Sequence, residues 1–344
     1  MIDLRSDTVT VPTDGMREAI ARAIVGDDVF GEDPATNELQ EYIAKLLDKE
    51  AALFVTSGVM GNQICIAAQT QPGDEVIVES DSHIFYYETA APSIISRVQL
   101  RDLKSTIGAM DLNEIESSVR SSEYYFPRTS MICIENTHNR HGGAIIALDY
   151  IKEVKKTADT HNLIIHCDGA RLWHACIATD ISPANYVRQF DSVSVCLSKG
   201  LGAPVGSVIA GKKEFIEKAR KWRKILGGGM RQSGILAAAG LYALRNHLPL
   251  LEFDHLNARL FSEIISESEF IAINLENIVT NIVVFDLSEK IELLAFIEEC
   301  KKNGLLIIPV GKNSIRAVFH FQINENMAIM AGNIIKFAIH NLAK

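Results

Sequence analysis

Apolar residues in this chain cluster into short runs separated by longer amphipathic stretches. Between residues 51 and 210 the runs are Ala51–Val55, Val76–Val78, Val98–Leu100, Met131–Ile134, Leu163–His166, Val193–Leu197 and Val208–Ala210. They are too short for helices, and most are rich in valine or isoleucine, so they predict seven buried strands. The stretches Gly58–Gln69, Asp111–Arg120 and Asp149–Thr160 lie between them and predict helices, with Asp111 and Glu114 as a capping pair. Strand alternating with helix predicts a mostly parallel sheet covered on both faces. Such sheets bind ligands at the carboxyl ends of their strands.

The flanks extend this plan. Residues before the first strand predict an extended arm, a helix over about Asp14–Val25, an acidic loop Gly26–Asp33, and a second helix from Pro34 or Ala35. The acidic loop reads equally as a solvated loop, a cation site or part of an active-site mouth. After Gly227-Gly-Gly229 an apolar helix is expected over Met230–Asn246, closed by Pro249. From Leu250 the pattern predicts a smaller α/β unit. Its helices fall near Glu252–Ser266, Lys290–Asn303 and Asn324–Asn341, and its strands near Ile278–Phe285, Leu305–Pro309 and Ser314–Phe319. The expected division is an arm and large domain over 1–249 and a small domain over 250–344.

A length of 344 residues suffices for this architecture. No apolar run is long enough for a membrane span, and the first residues lack the basic and apolar regions of a signal peptide. The net charge of −9 argues against nucleic acid as a main partner. The six cysteines (Cys65, Cys133, Cys167, Cys176, Cys196 and Cys300) show no metal-ligand spacing and read as free thiols in a reducing cytoplasm.

The candidate chemistry falls at strand ends. Lys199 follows the run Val193–Leu197 and precedes Gly200, Gly202, Pro204 and Gly206. An amine held inside such a turn can attack a carbonyl and form a Schiff base, as with pyridoxal phosphate (PLP). Ser57 and Gly58 follow Ala51–Val55 and open a helix, a ready anion site. Asp168 follows the run Leu163–His166, with Arg171 three positions on. A charged aspartate there can pair a pyridine nitrogen, and the arginine a ring oxygen or a carboxylate. His83 follows Val76–Val78, where an imidazole can stack on a ring. Glu135-Asn-Thr-His-Asn-Arg-His-Gly-Gly143 places His138 and His141 in one loop. Either can meet a substrate hydroxyl; for a metal site no third ligand at suitable spacing appears.

This order of motifs resembles fold-type I PLP-dependent enzymes, with their transferase-like large domain and smaller C-terminal α/β domain. It is most similar to the low-specificity L-threonine aldolases of the β-eliminating lyase family. The residues that carry the resemblance are Asp3–Thr13, Gly26–Pro34, Thr56–Gln63, His83–Glu88, Glu135–Arg140, Asp168–Leu172, Leu197–Ser207 and Leu226–Gln232. It covers essentially the whole chain and thins after about Arg245.

The resemblance implies that Lys199 carries PLP, Asp168 pairs its ring nitrogen, His83 stacks on the ring, and Ser57 and Gly58 hold the phosphate. It assigns Ser6, Arg171 and Arg316 to the amino-acid carboxylate, and Arg231 to the cofactor of a neighbouring subunit in a homotetramer built as a dimer of dimers. Val59 stands where the family often has threonine, and His174 where asparagine is common. The implied reaction is cleavage of L-threonine or L-allo-threonine to glycine and acetaldehyde, with His83, or a water held by His138, as the base. Another PLP-dependent β-lyase or an aminotransferase is the alternative, and a PLP-binding protein without turnover the third reading.

Overall fold

The computed structural model describes residues 1–343; residue 344, the last of the expected small domain, lies outside them. The seven apolar runs form one sheet: β1 (Ala51–Val55), β2 (Glu75–Glu79), β3 (Gln99–Leu103), β4 (Thr129–Glu135), β5 (Ile164–Gly169), β6 (Ser192–Cys196) and β7 (Ser207–Gly211). Their spatial order is β1-β7-β6-β5-β4-β2-β3. Every pairing is parallel except the two that β7 makes, with β1 and with β6. The reason is connection length. Helices link the parallel strands, whereas only the glycine turn after Cys196 joins β6 to β7, and a tight turn returns the chain antiparallel. Strands β2, β4, β6 and β7 are buried throughout because helices cover both faces of the sheet.

The helix Gly58–Ala67 starts where the apolar pattern places it, capped by Ser57, which accepts from the Met60 amide. Leu148–Thr160 and Pro34–Leu46 also lie where expected, and Asp111 caps Leu112–Ser118. The helix expected from Met230 begins only at Gly234, after a turn in which Gly227 has φ +78°. The helices Lys213–Ile225 and Leu172–Thr179 were not apparent in the sequence. The first is mostly charged and buries only Phe215, Ile216, Ala219 and Arg223.

The acidic loop is a set of internal ties. Asp28 pairs with buried Arg223 at 2.5 Å, and Asp33 caps the next helix while also accepting from the Gly26 and Gly234 amides.

The C-terminal part has its own sheet and core. Strands β8 (Ile271–Ala272), β9 (Ile282–Leu287), β10 (Ile308–Pro309) and β11 (Ser314–Val318) form an antiparallel sheet in the order β8-β9-β11-β10. Helices Leu251–Ser266, Leu293–Lys302 and Glu325–Leu342 pack with it through Phe261, Phe296 and Ile335. The single strand expected over Leu305–Pro309 is two: Leu305–Leu306 pairs in parallel with Ile2–Asp3 of the arm, and Ile308–Pro309 with β11. Ile2 and Leu4 thereby join this second core.

All six cysteines are buried and unpaired. Among the described residues no helix is long and apolar enough to cross a membrane.

Candidate active site

A cavity of about 370 Å³ opens at the carboxyl ends of the central strands. Ser6, His83, Arg171, Lys199 and Arg316 all line it, with Thr8, Tyr87 and Asn139 beside them. Six segments far apart in sequence therefore meet there.

Lys199 sits in the β6–β7 turn. The turn is pinned by the Leu197 amide donating to Gly206 O at 3.0 Å and the Gly202 amide to Lys199 O at 2.7 Å. Gly206 has φ +104°, and a side chain there would strike the Phe54 ring. Beneath the turn, a Cβ on Gly200 would strike His174 Nε2. His174 Nδ1 meets His255 Nε2 at 2.9 Å. Burial pushes His174 well below the ordinary histidine range and His255 down to about 4, so this is a neutral pair supporting the turn.

Asp168, at the end of β5, is buried. Its Oδ2 accepts from Asn62 Nδ2 at 2.8 Å and its Oδ1 from the Ala170 amide at 3.1 Å. A carboxylate has about four lone-pair sites, so capacity remains for another donor. Asn62 also donates to Glu88 at 2.8 Å, as does Gln63 at 2.5 Å. Glu88 in turn holds His83 Nδ1 at 2.9 Å. Burial lowers the His83 pKa, but the Glu88 hydrogen bond and the Asp168 charge outweigh it and leave the imidazole above its ordinary value; the Lys199 charge opposes them. Glu135 fixes the His83 backbone by accepting from its amide at 2.6 Å.

The two cavity arginines differ. Arg171 grips Asp7 through two bonds, Nε to Oδ2 at 2.8 Å and Nη2 to Oδ1 at 2.7 Å. Burial raises the Asp7 pKa, but this guanidinium overrides it and holds the carboxyl well below the usual range. Arg316 meets only neutral oxygens, Asn139 Oδ1 at 2.9 Å and Arg5 O at 3.3 Å, and its buried Nε has no partner. Its charge is thus uncompensated by any of these contacts and is available to an anion.

Ser57 is exposed at the start of Gly58–Ala67, a helix with no acid in its first turn. A Cβ on Gly58 would come within 2.9 Å of Cys196 Sγ, so glycine lets the helix start press against the end of β6. Open amides there, a buried carboxylate with spare capacity, an imidazole and a nearby amine fit PLP in charge and donor set.

Five expected residues do not line the cavity: Ser57, Gly58, Asp168, His138 and Arg231. Asp168 is tied to it through Asn62, Glu88 and His83. His138 is fully buried and does not line it; His138 Nε2 meets Glu79 at 2.8 Å, and the cavity position falls to its neighbour Asn139. Arg231 is half-exposed and pairs with Asp27 at 3.1 Å, also outside the cavity. Sequence reasoning missed Asp7, Asn62, Glu88 and Asn139. Each lies inside a motif that marked the resemblance, and that was the available signal. It also found no third ligand near His138 and His141; the fold supplies Glu79, from the end of β2.

The family model for beta-eliminating lyases matches residues 3–288. The chain belongs to the beta-eliminating lyase family. Within reach of that match, low-specificity L-threonine aldolase 1 of Arabidopsis thaliana is 45% identical over 331 residues, covering 94% of this chain and 92% of that protein. The low specificity L-threonine aldolase of Escherichia coli K12 is 41% identical over 269 residues, 78% of this chain and 80% of that protein. Among solved structures, the threonine aldolase of Leishmania major superposes with a TM-score of 0.84 at 19% identity, over 100% of both chains. That last likeness supports the fold: the seven-stranded, mostly parallel α/β sheet described above.

Proposed function

We propose that this chain is a PLP-dependent lyase that cleaves L-threonine and L-allo-threonine, and related β-hydroxy-α-amino acids, the former two to glycine and acetaldehyde. The observation that carries this reading is the shared cavity of Lys199, His83, Arg171 and Arg316 in a chain so similar to named threonine aldolases. Bound PLP supplies a sink for the electron pair released at the amino-acid α-carbon.

The chain's own groups do the rest. Lys199, on the cavity wall, would hold the cofactor through its amine. Ser57 and Gly58 would receive its phosphate at the helix start, and Asp168 would pair its ring nitrogen. His83 would stack on that ring. Arg316 takes the substrate carboxylate as its ion-pair partner, because Asp7 already neutralises Arg171. Arg171 and Ser6 shape the wall around that carboxylate. The β-hydroxyl proton passes to His83 Nε2 or to a water, since Glu88 occupies Nδ1. The Cα–Cβ bond breaks, acetaldehyde leaves, and a proton returned to the α-carbon completes glycine.

Arg231, outside its own cavity, serves a neighbouring subunit's cofactor within a homotetramer, and the enzyme works in the cytoplasm. The large domain ends near residue 249 and the small one begins near 250, a division supported by the two separate cores.

The test is a coupled assay of aldehyde and glycine on the threonine isomers. Both L diastereomers should be cleaved, because a water-assisted imidazole tolerates either hydroxyl orientation. D-threonine should be inert. Release of a keto acid in place of acetaldehyde would replace this reading with a β-lyase or aminotransferase.

A prediction about the base follows from Glu88. The groups facing His83 are Glu88, Asp168 and Lys199, with Glu135 on its amide and the Tyr87 ring 5.5 Å away. The Glu88 carboxylate raises the His83 pKa, so Glu88→Gln lowers it. If neutral His83 accepts the proton, the acid limb of the kcat/KM profile must move to lower pH in that variant. An unmoved limb would assign the proton to another acceptor.

A further inference from the structure

We propose that Glu79, His138 and His141 form a site for one zinc-class divalent cation, separate from the cavity that contains Lys199. Their ligand atoms all lie within 4.8 Å of one another. His138 Nε2 stands 2.8 Å from Glu79 Oε2, and His141 Nε2 stands 3.6 Å from Glu79 Oε1. Zinc bonds of ~2.0–2.1 Å in tetrahedral geometry put ligand atoms about 3.3 Å apart. The two observed separations bracket that value, so small side-chain rotations suffice.

The Glu79 carboxylate is already heavily used by other donors. Its Oε2 accepts from the Asp81 amide at 2.7 Å, and its Oε1 from Ser105 Oγ at 2.8 Å and Ser80 Oγ at 3.4 Å. With about four lone-pair sites on a carboxylate, two further imidazole N–H donors oversubscribe it. A cation resolves the crowding: both imidazoles turn a lone pair inward, and the buried negative charge is neutralised. Two imidazoles and one carboxylate select a zinc-like ion over Mg²⁺ or Ca²⁺, which take oxygen ligands. Ser105 Oγ, 3.4 Å from His141 Nε2, or a water provides the fourth position.

The surroundings suit an ion. Glu79 and His138 are buried, while His141 keeps about a quarter of its side chain exposed and borders an open groove of about 620 Å³, which gives an entry path. The site ties three segments together: the end of β2, the loop after β4, and the hairpin of Ser105–Thr106 with Ala109–Met110. In that hairpin Gly108 has φ +85° and closes on the His138 ring, where a Cβ would sit 2.9 Å from Cδ2. Asn139, adjacent to His138, contacts both cavity arginines, so an ion here braces one wall of the cavity. The other three-residue cluster, His83, Glu88 and Asp168, is already bridged by the Asn62 and Gln63 amides and belongs to the cavity itself.

The experiment uses the PLP-loaded enzyme stripped with a chelator and titrated with Zn²⁺. Bound metal is counted by mass spectrometry after gel filtration, and Co²⁺ serves as a visible-absorption probe of the ligand set. The wild type should bind one ion per chain at micromolar concentrations and give an intense low-coordinate Co²⁺ band. Glu79→Gln and His141→Ala should each weaken binding at least tenfold and lose that band. His141 is partly exposed, and a thermal melt confirms that its variant is folded. No binding by the wild type, or equal binding by the variants, overturns the site.

Discussion

Lys199→Ala should leave a folded protein with essentially no aldol cleavage, a loss of roughly 10⁴-fold or more, the scale seen when the covalent group of a catalytic unit is removed. The lysine lies in a turn held by backbone bonds of its neighbours, Leu197 to Gly206 and Gly202 to Lys199 O, none of which uses the side chain. Truncation therefore removes chemistry and leaves the turn intact. A companion measurement identifies the attachment directly: borohydride treatment of the wild type should fix the cofactor to the peptide that contains Lys199. A tag on any other lysine, or turnover within tenfold of the wild type in the variant, would contradict the assignment.

Asp168→Ala should cut turnover by about two to three orders of magnitude, the size expected for losing one preorganised electrostatic partner in a buried site. It should also weaken PLP retention, measured by absorbance after dialysis. The carboxylate is buried and bonded by Asn62 and the Ala170 amide, so nothing nearby can replace its charge. Glu88 is the nearest substitute, but it is held by Asn62, Gln63 and His83. Asp168→Asn separates charge from shape. It keeps the size, and a similar loss in that variant would place the effect in the charge.

The strands were legible because a sheet covered on both faces demands apolar runs, and Ala51–Val55 or Met131–Ile134 have no other plausible environment. The candidate residues were legible for a related reason: Ser57, His83, Asp168 and Lys199 each follow such a run, where a parallel sheet presents its ligands. What the sequence concealed is partnership across long separations. Arg171 reads as a free carboxylate clamp until Asp7, on the arm, is seen to neutralise it. His138 reads as a substrate ligand until its ring is found bonded to Glu79, outside the cavity lining. His174, unexplained as a departure from asparagine, has a physical role only once His255 and Gly200 are found against it. The split of Leu305–Pro309 was equally hidden, because its first half is paired by residues from the other end of the chain.

That last pairing has a consequence for biogenesis. Ile2–Asp3 cannot find its partner until the ribosome has released Leu305–Leu306, although the central sheet, complete at Gly211, can assemble long before. Closing so long a loop costs chain entropy, only slowly more with length, and delays the contact. Asp7, Ser6 and Thr8 follow that first strand, so the arm that carries Arg171's counter-charge is anchored only once Leu305–Leu306 is in place. A chain stalled before residue 305 would also lack Ile308, Pro309, Val310 and Arg316 of the cavity wall, so the cavity is completed only by the last tenth or so of the polypeptide.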